Sequence, residues 1–301
     1  MITGKKGKFN QLGFILGTVL FGLILFPASA SEAKNYLASS LSNQGQFNQA
    51  YPDHAGKRYF QKMAKDLVSL ATSPFAWHHD DWENFGLCLM AGSSFFPVDN
   101  SIHRWMKDIQ ESSPRLIKAG RFFSAAGSPL ILLSFMSGGY LAGELAGSSK
   151  TRQTFLLAGE SLLLTEIYVQ LLKTALGRAR PYNEEGPFHF HPLNFKDRWN
   201  SLPSGHAAAA WAIASSISST TDSCWLSGSA IILASAVSLS RIILDKHYAS
   251  DVVFGSLLGY FIGRKIASSG TQKESLKYGQ VSFQPHVGPG FIAISINFGL
   301  K

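Results

Sequence analysis

From Phe122 onward the chain alternates between long uncharged apolar runs and short charged or Gly/Pro-rich breaks; before that point polar and apolar residues are mixed. Phe122 to Gly143 is twenty-two residues without a charge, which clears the ~20 residues that a bilayer-spanning helix needs. Ser148 to Arg152 is a short basic loop, and Thr154 to Leu172 is a second apolar helix interrupted by Glu160 and Glu166. Ala207 to Thr221, Trp225 to Leu239 and Val252 to Ile262 supply three more. None of these runs keeps the two-residue alternation of a half-buried strand, so the body reads as all-α, with about five membrane-embedded helices. The tail differs: Val281-Ser-Phe, a Pro-His-Val-Gly-Pro-Gly turn and the alternating Phe291 to Phe298 read as a small β-hairpin.

The first 121 residues are patterned otherwise. Lys5, Lys6 and Lys8 precede an apolar stretch from Leu12 to Phe26, and Ala28-Ser29-Ala30 fits a small-residue cleavage site, so 1–30 reads as a secretory signal with an uncleaved anchor as the alternative. Asn35 to Ala50 reads as loop or frayed helix, and Lys57 to Leu70 as an amphipathic helix. Gly86 to Val98 is apolar but too short to span. Asn100 to Arg121 spaces Ile102, Trp105, Met106, Ile109 and Leu116 as one helical face, an amphipathic helix lying on the body or the membrane. Four divisions follow: 1–30 signal, 31–121 polar and amphipathic region, 122–267 helical core, 268–301 tail.

Charge narrows the partners. The 301 residues carry a net charge of +8 and a pI near 9.4, which suits phosphate esters or anionic lipid. The basic residues are dispersed and no nucleic-acid motif is present, so no nucleic-acid partner is expected. Charged residues make up only 15% of the chain, under the ~25% of soluble domains, although mean hydropathy is just +0.07. Cys88 and Cys224 sit in apolar runs and read as buried free thiols. His78-His79-Asp80-Asp81 reads as a solvated turn rather than a metal site, because neighbouring side chains diverge. His189 and His191, in the Pro/Phe/Gly-rich loop 183–200, read as surface residues, and Glu160 and Glu166 as core carboxylates near the site, helix-face residues or partners of a nearby base.

Three stretches carry chemistry. Ser240 to Asp251 places Arg241, His247 and Asp251 within twelve residues; His247 and Asp251 are four apart, one turn of a helix, where a carboxylate orients an imidazole. Lys173 and Arg180 are seven apart, which puts them on one side of a helix two turns long. Pro203-Ser204-Gly205-His206 opens an apolar run, and a Ser-Gly pair at a helix start offers a hydroxyl and free N–H groups to an anion. Lysine, two arginines, N–H donors and two histidines together suit a phosphate oxyanion.

In order and spacing these stretches resemble the signature of the type 2 phosphatidic acid phosphatase (PAP2) superfamily: lysine, six residues, Arg-Pro; Pro-Ser-Gly-His; Ser-Arg, five residues, His, three residues, Asp. The resemblance runs from about Leu156 to Lys265. It implies a PAP2-type helical bundle and phosphoryl transfer through a phosphohistidine. His247 is then the nucleophile held by Asp251, and His206 the acid and then base. Lys173, Arg180, Ser204, Gly205 and Arg241 bind the phosphate. No metal or other cofactor is expected. The substrate is a phosphorylated lipid, or another phosphate ester, and the membrane is a partner. An orientation with every site residue outside leaves Lys150, Arg152, Arg264 and Lys265 inside, as basic inner loops require. That places the protein in a bacterial inner membrane with the site facing the periplasm. The alternatives are a soluble periplasmic acid phosphatase, a vanadate-dependent haloperoxidase, and a non-catalytic membrane transport or binding protein.

Overall fold

The computed structural model describes residues 51–270 and the backbone of 281–288 and 291–298. The leader at 1–30 and the stretch Asn35 to Ala50 lie outside the described residues. Nine α-helices make up the described body: α1 Lys57–Thr72, α2 His79–Ser93, α3 Asp99–Ser112, α4 Pro114–Ala126, α5 Pro129–Leu145, α6 Ser149–Leu176, α7 Gly205–Thr220, α8 Cys224–Ile243 and α9 Ala249–Gly270. Separately, β1 Val281–Gly288 and β2 Phe291–Phe298 pair antiparallel, with Val281 opposite Phe298.

Helix boundaries follow local chemistry. The Ser148, Ser128 and Ser223 side chains accept from the third residue on, at the starts of α6, α5 and α8. The uncharged run Phe122 to Gly143, expected as one helix, is two: α4 ends at Ala126, Ser128 caps α5 and Pro129 takes its first position, with a bend of 55° between them. Proline lacks the N–H that a continuous helix would need there. The amphipathic stretch Asn100 to Arg121 breaks in the same way at Ser113-Pro114. Gly86 joins the polar His79 in α2, so the expected turn at 78–81 is a helix start, where His78 and Asp81 form a reciprocal capping box.

Among the described residues two helices, α6 and α8, are long and apolar enough to cross a membrane, and the bent pair α4–α5 makes a third if it is one span. Leu130, Ile131 and Phe135 of α5, Leu171 of α6 and Ile232 and Leu233 of α8 turn apolar surface outward, as a lipid-facing belt does.

At the centre lies α7, almost wholly buried. Ala209, Ile213 and Ile217 pack on Ala158 and Leu162 of α6. On another side Gly255, Gly259 and Gly263 of α9 lie so close that an added Cβ would fall 2.4, 2.0 and 2.2 Å from the carbonyl oxygens of Ser204, Ala208 and Ala212. A row of small residues every fourth position lets two backbones approach this closely, and it locks the start of α7 beside the start of α9. Along α6 runs α1: the Tyr59 hydroxyl donates to the Leu156 carbonyl at 3.1 Å and that of Tyr168 to Leu67 at 2.9 Å. Asp53 pairs with Arg152 at 2.9 Å. Residues 51–57 therefore sit at the Ser149 end of the bundle, away from Lys173, with Lys57 and Arg58 exposed there.

Candidate active site

The site assembles at one end of α6, α7 and α8. Lys173 lies in the last turn of α6, which Gly177 ends with a left-handed φ of 60°. Glycine is required at 177 twice over: the backbone angle suits it, and a Cβ would fall 1.8 Å from the His191 carbonyl oxygen. Because α6 stops at Leu176, Lys173 and Arg180 are not two turns apart on one helix as expected. Arg180 follows the turn, its N–H donating to the Arg198 carbonyl at 2.9 Å and its Nη2 to Asp197 at 2.7 Å.

Ser204 stands just ahead of α7 and donates its N–H to the Asp251 carbonyl at 2.9 Å. Its Oγ, with Arg180 Nε and Arg241 Nε, is buried with no hydrogen-bond partner among the described residues. A Cβ on Gly205 would lie 3.6 Å from Lys173 Nζ, so the lysine ammonium stands beside the N-terminus of α7. Arg241, in the last turn of α8, donates through Nη1 to the Ser124 hydroxyl of α4.

His247 and Asp251 are arranged differently from the expectation. The helix begins at Ala249, so His247 precedes it. Its Nδ1 lies 3.8 Å from Asp251 Oδ2 but 2.8 Å from the Ser201 carbonyl oxygen. A carbonyl only accepts, so Nδ1 holds the hydrogen and Nε2 carries the lone pair. Asp251 acts one step back: its Oδ2 accepts from Ser201 Oγ at 2.5 Å and from the Tyr248 N–H at 2.9 Å, and its Oδ1 accepts from Arg178 at 2.5 Å. It fixes the residue that aims the imidazole.

The two histidines feel the same cations. Burial first, then the charges of Arg180 and Lys173, pushes His247 down to about 3, against a partial restoring effect of Asp251. His206 is likewise lowered to about 3 by burial and by Arg241, Lys173 and Arg180. Lys173, Arg180, Ser204, Gly205, His206, Arg241 and His247 are thus gathered at one locus.

Four residues of this region escaped the sequence reading: Arg178, Asp99, Ser201 and Ser250. Arg178 is fully buried and pairs with Asp99 at 2.8 Å, Asp251 at 2.5 Å, Ser250 Oγ at 2.6 Å and the Pro187 carbonyl at 2.7 Å. It falls among the unspecified positions between Lys173 and Arg180, where spacing gives no signal. An aspartate closing the apolar run before α3 was the available clue to Asp99.

Other expectations resolve away from the site. Glu160, bonded by the Tyr51 hydroxyl at 2.7 Å, lies toward the far end of α6, whereas Glu166 Oε1 stands 3.6 Å from the same Gly205 Cβ position as Lys173 Nζ. The His191 ring packs on Trp199 at 3.7 Å between centroids. Both cysteines are free, but Cys88 is half-buried and Cys224, expected buried, is exposed at the first position of α8. His79, Asp80 and Glu83 have ligand atoms within 4.8 Å of one another on the exposed start of α2.

Residues 154–273 match the model of the PAP2 superfamily. A lipid A 1-phosphatase of Rhizobium johnstonii is 29% identical over 101 residues, 33% of this chain and 41% of the relative. One from Porphyromonas gingivalis is 39% identical over 66 residues, 21% of this chain and 15% of the relative. The chain thus spans well under half of each of these two relatives. The crystal structure of a transmembrane PAP2-type phosphatidylglycerolphosphate phosphatase from Bacillus subtilis aligns over 64% of this chain and 96% of its own, at 19% identity and a TM-score of 0.46. The segment that carries Lys173, His206 and His247, residues 154–273, is the one that is similar to the PAP2 superfamily.

Proposed function

We propose that this protein is a membrane phosphatase that hydrolyses lipid phosphomonoesters or pyrophosphates through a phosphohistidine, without a metal. The observation that carries the reading is the convergence of Lys173, Arg180 and Arg241 on two histidines at the end of an apolar helix. His247 Nε2 attacks phosphorus in line; a P–N bond forms as the bond to the leaving oxygen breaks. The three cations and the Ser204 and Gly205 donors neutralise the equatorial oxygens, where charge develops. His206 gives the leaving oxygen a proton and then takes one from the water that cleaves the P–N bond. A dianionic phosphate in the cradle offsets the cations that lower His206, which favours the protonated form this role needs. The cradle supplies the positive charge that a metal supplies elsewhere.

The named relatives make lipid A the first substrate to try. Lys150 and Arg152, at the end of the bundle away from Lys173, support an orientation in which that end is cytoplasmic and the site faces outward. The test is phosphate release from lipid A, phosphatidate, phosphatidylglycerol phosphate, undecaprenyl pyrophosphate and a soluble ester, with a chelator present. Release from a lipid, insensitive to chelator and lost in His247→Ala, is expected. Turnover unchanged in that variant would remove the nucleophile assignment, and release from the soluble ester alone would remove the lipid.

A further inference from the structure

We propose that α3, outside the matched residues 154–273, is part of the catalytic apparatus, with Asp99 and His103 as positioning residues for the nucleophile His247. This inference rests on the phosphatase reading. One face of α3 holds Asp99, His103 and Gln110, at intervals of four and seven, so they line up along the helix. Each grips the chain that carries His247. Asp99 Oδ1 accepts from the Ser250 N–H at 3.0 Å, and its Oδ2 accepts from Ser250 Oγ at 2.5 Å and from Arg178 Nη2 at 2.8 Å. His103 Nδ1 meets Asp245 Oδ1 at 2.6 Å, with both side chains nearly buried, 12% and 11% exposed. Gln110 donates to the Ile243 carbonyl at 3.0 Å.

These grips fall on both flanks of the nucleophile. Asp245 is two residues before His247 and Ser250 three after it. Asp245 holds a left-handed φ of 55°, uncommon for a residue with a Cβ, and the His103 contact fixes its side chain there. On the far flank, Arg178 bridges Asp99 to Asp251, which sets Ser201, whose carbonyl aims the imidazole. Ile102 and Met106 pack with Ala249 and would suffice for a helix that merely covers apolar surface. A fully buried aspartate carries a desolvation cost that packing alone does not explain. In-line attack is sensitive to placement; about 1 Å of error costs on the order of 10²-fold in rate.

The experiment compares kcat and KM for phosphate release by the full-length protein in wild type, Asp99→Asn, His103→Gln and Glu111→Gln, the last on the exposed side of α3. Orthovanadate affinity is measured alongside by tryptophan fluorescence, because a bond to His247 makes that anion report the nucleophile's position without turnover. Asp99→Asn should lower kcat at least tenfold with KM within about twofold, since the cationic cradle is untouched, and weaken vanadate in parallel. His103→Gln, at the rim, should lose three- to tenfold in kcat and remain folded even if Asp99→Asn does not. Glu111→Gln should change neither constant. Equal kcat and equal vanadate affinity per folded molecule in His103→Gln would overturn the proposal. A wild type that binds vanadate but releases no phosphate would instead sink the phosphatase reading, and the vanadate series would still decide the role of α3.

Discussion

Arg178 and Arg180 stand two residues apart and live in opposite circumstances. Arg178 has four hydrogen-bond partners and two buried carboxylates against it. Arg180, whose carboxylate partner Asp197 is exposed, belongs with Lys173 and Arg241 to a group where cations crowd each other, and the buried Nε atoms of both arginines have no acceptor among the described residues. A finished network of buried charge fixes a shape, because removing one partner leaves the rest uncompensated. An unfinished one is costly alone and gains from an arriving anion. The difference separates scaffold from site within one motif, where residue type does not.

The comparison can be broken most sharply at Arg178. Arg178→Gln should cost about 3–5 kcal/mol of folding stability, since it strands Asp99 and Asp251; the midpoint of chemical unfolding in detergent is the measurement. A small shift would mean that the two clusters do not differ in kind. Next comes Lys173→Gln, expected to lower kcat/KM by about 10²–10³-fold, roughly 3–4 kcal/mol of transition-state stabilisation. Its unfolding midpoint should stay level or rise as like charges are relieved; a marked fall would class the lysine with Arg178.

A further test sharpens the picture through pH. His247 is held near 3 when folded, against about 6.5 when unfolded. Between those values the unfolded chain binds the extra proton, so stability is present above about pH 6.5 and declines as pH falls toward 3. His247→Asn should flatten that slope; an unaltered slope would place the acid sensitivity elsewhere.

Much of this was legible in the residues. Lys173, Arg180, His206, Arg241 and His247 meet because the ordered motif fixes which chain ends must converge. The helices show through their apolar and amphipathic runs, but Pro129 and Pro114 break those runs where the hydropathy pattern stays continuous. Four-residue spacing brings His247 and Asp251 to within 3.8 Å without a shared helix, because the helix starts two residues after His247. Asp99 and Arg178 stayed hidden because their pairing crosses 79 positions of sequence, a separation that no local pattern encodes.

The imidazole is steadied by a main-chain oxygen, that of Ser201, rather than by a side chain. Every residue type carries that oxygen, so no single replacement can delete it. The aim of the imidazole therefore depends on position 201 only through the hydroxyl that Asp251 holds, and beyond that on the course of the loop between Trp199 and Ser204. Under the proposed phosphatase reading, redesign for another leaving group should leave the course of that loop alone.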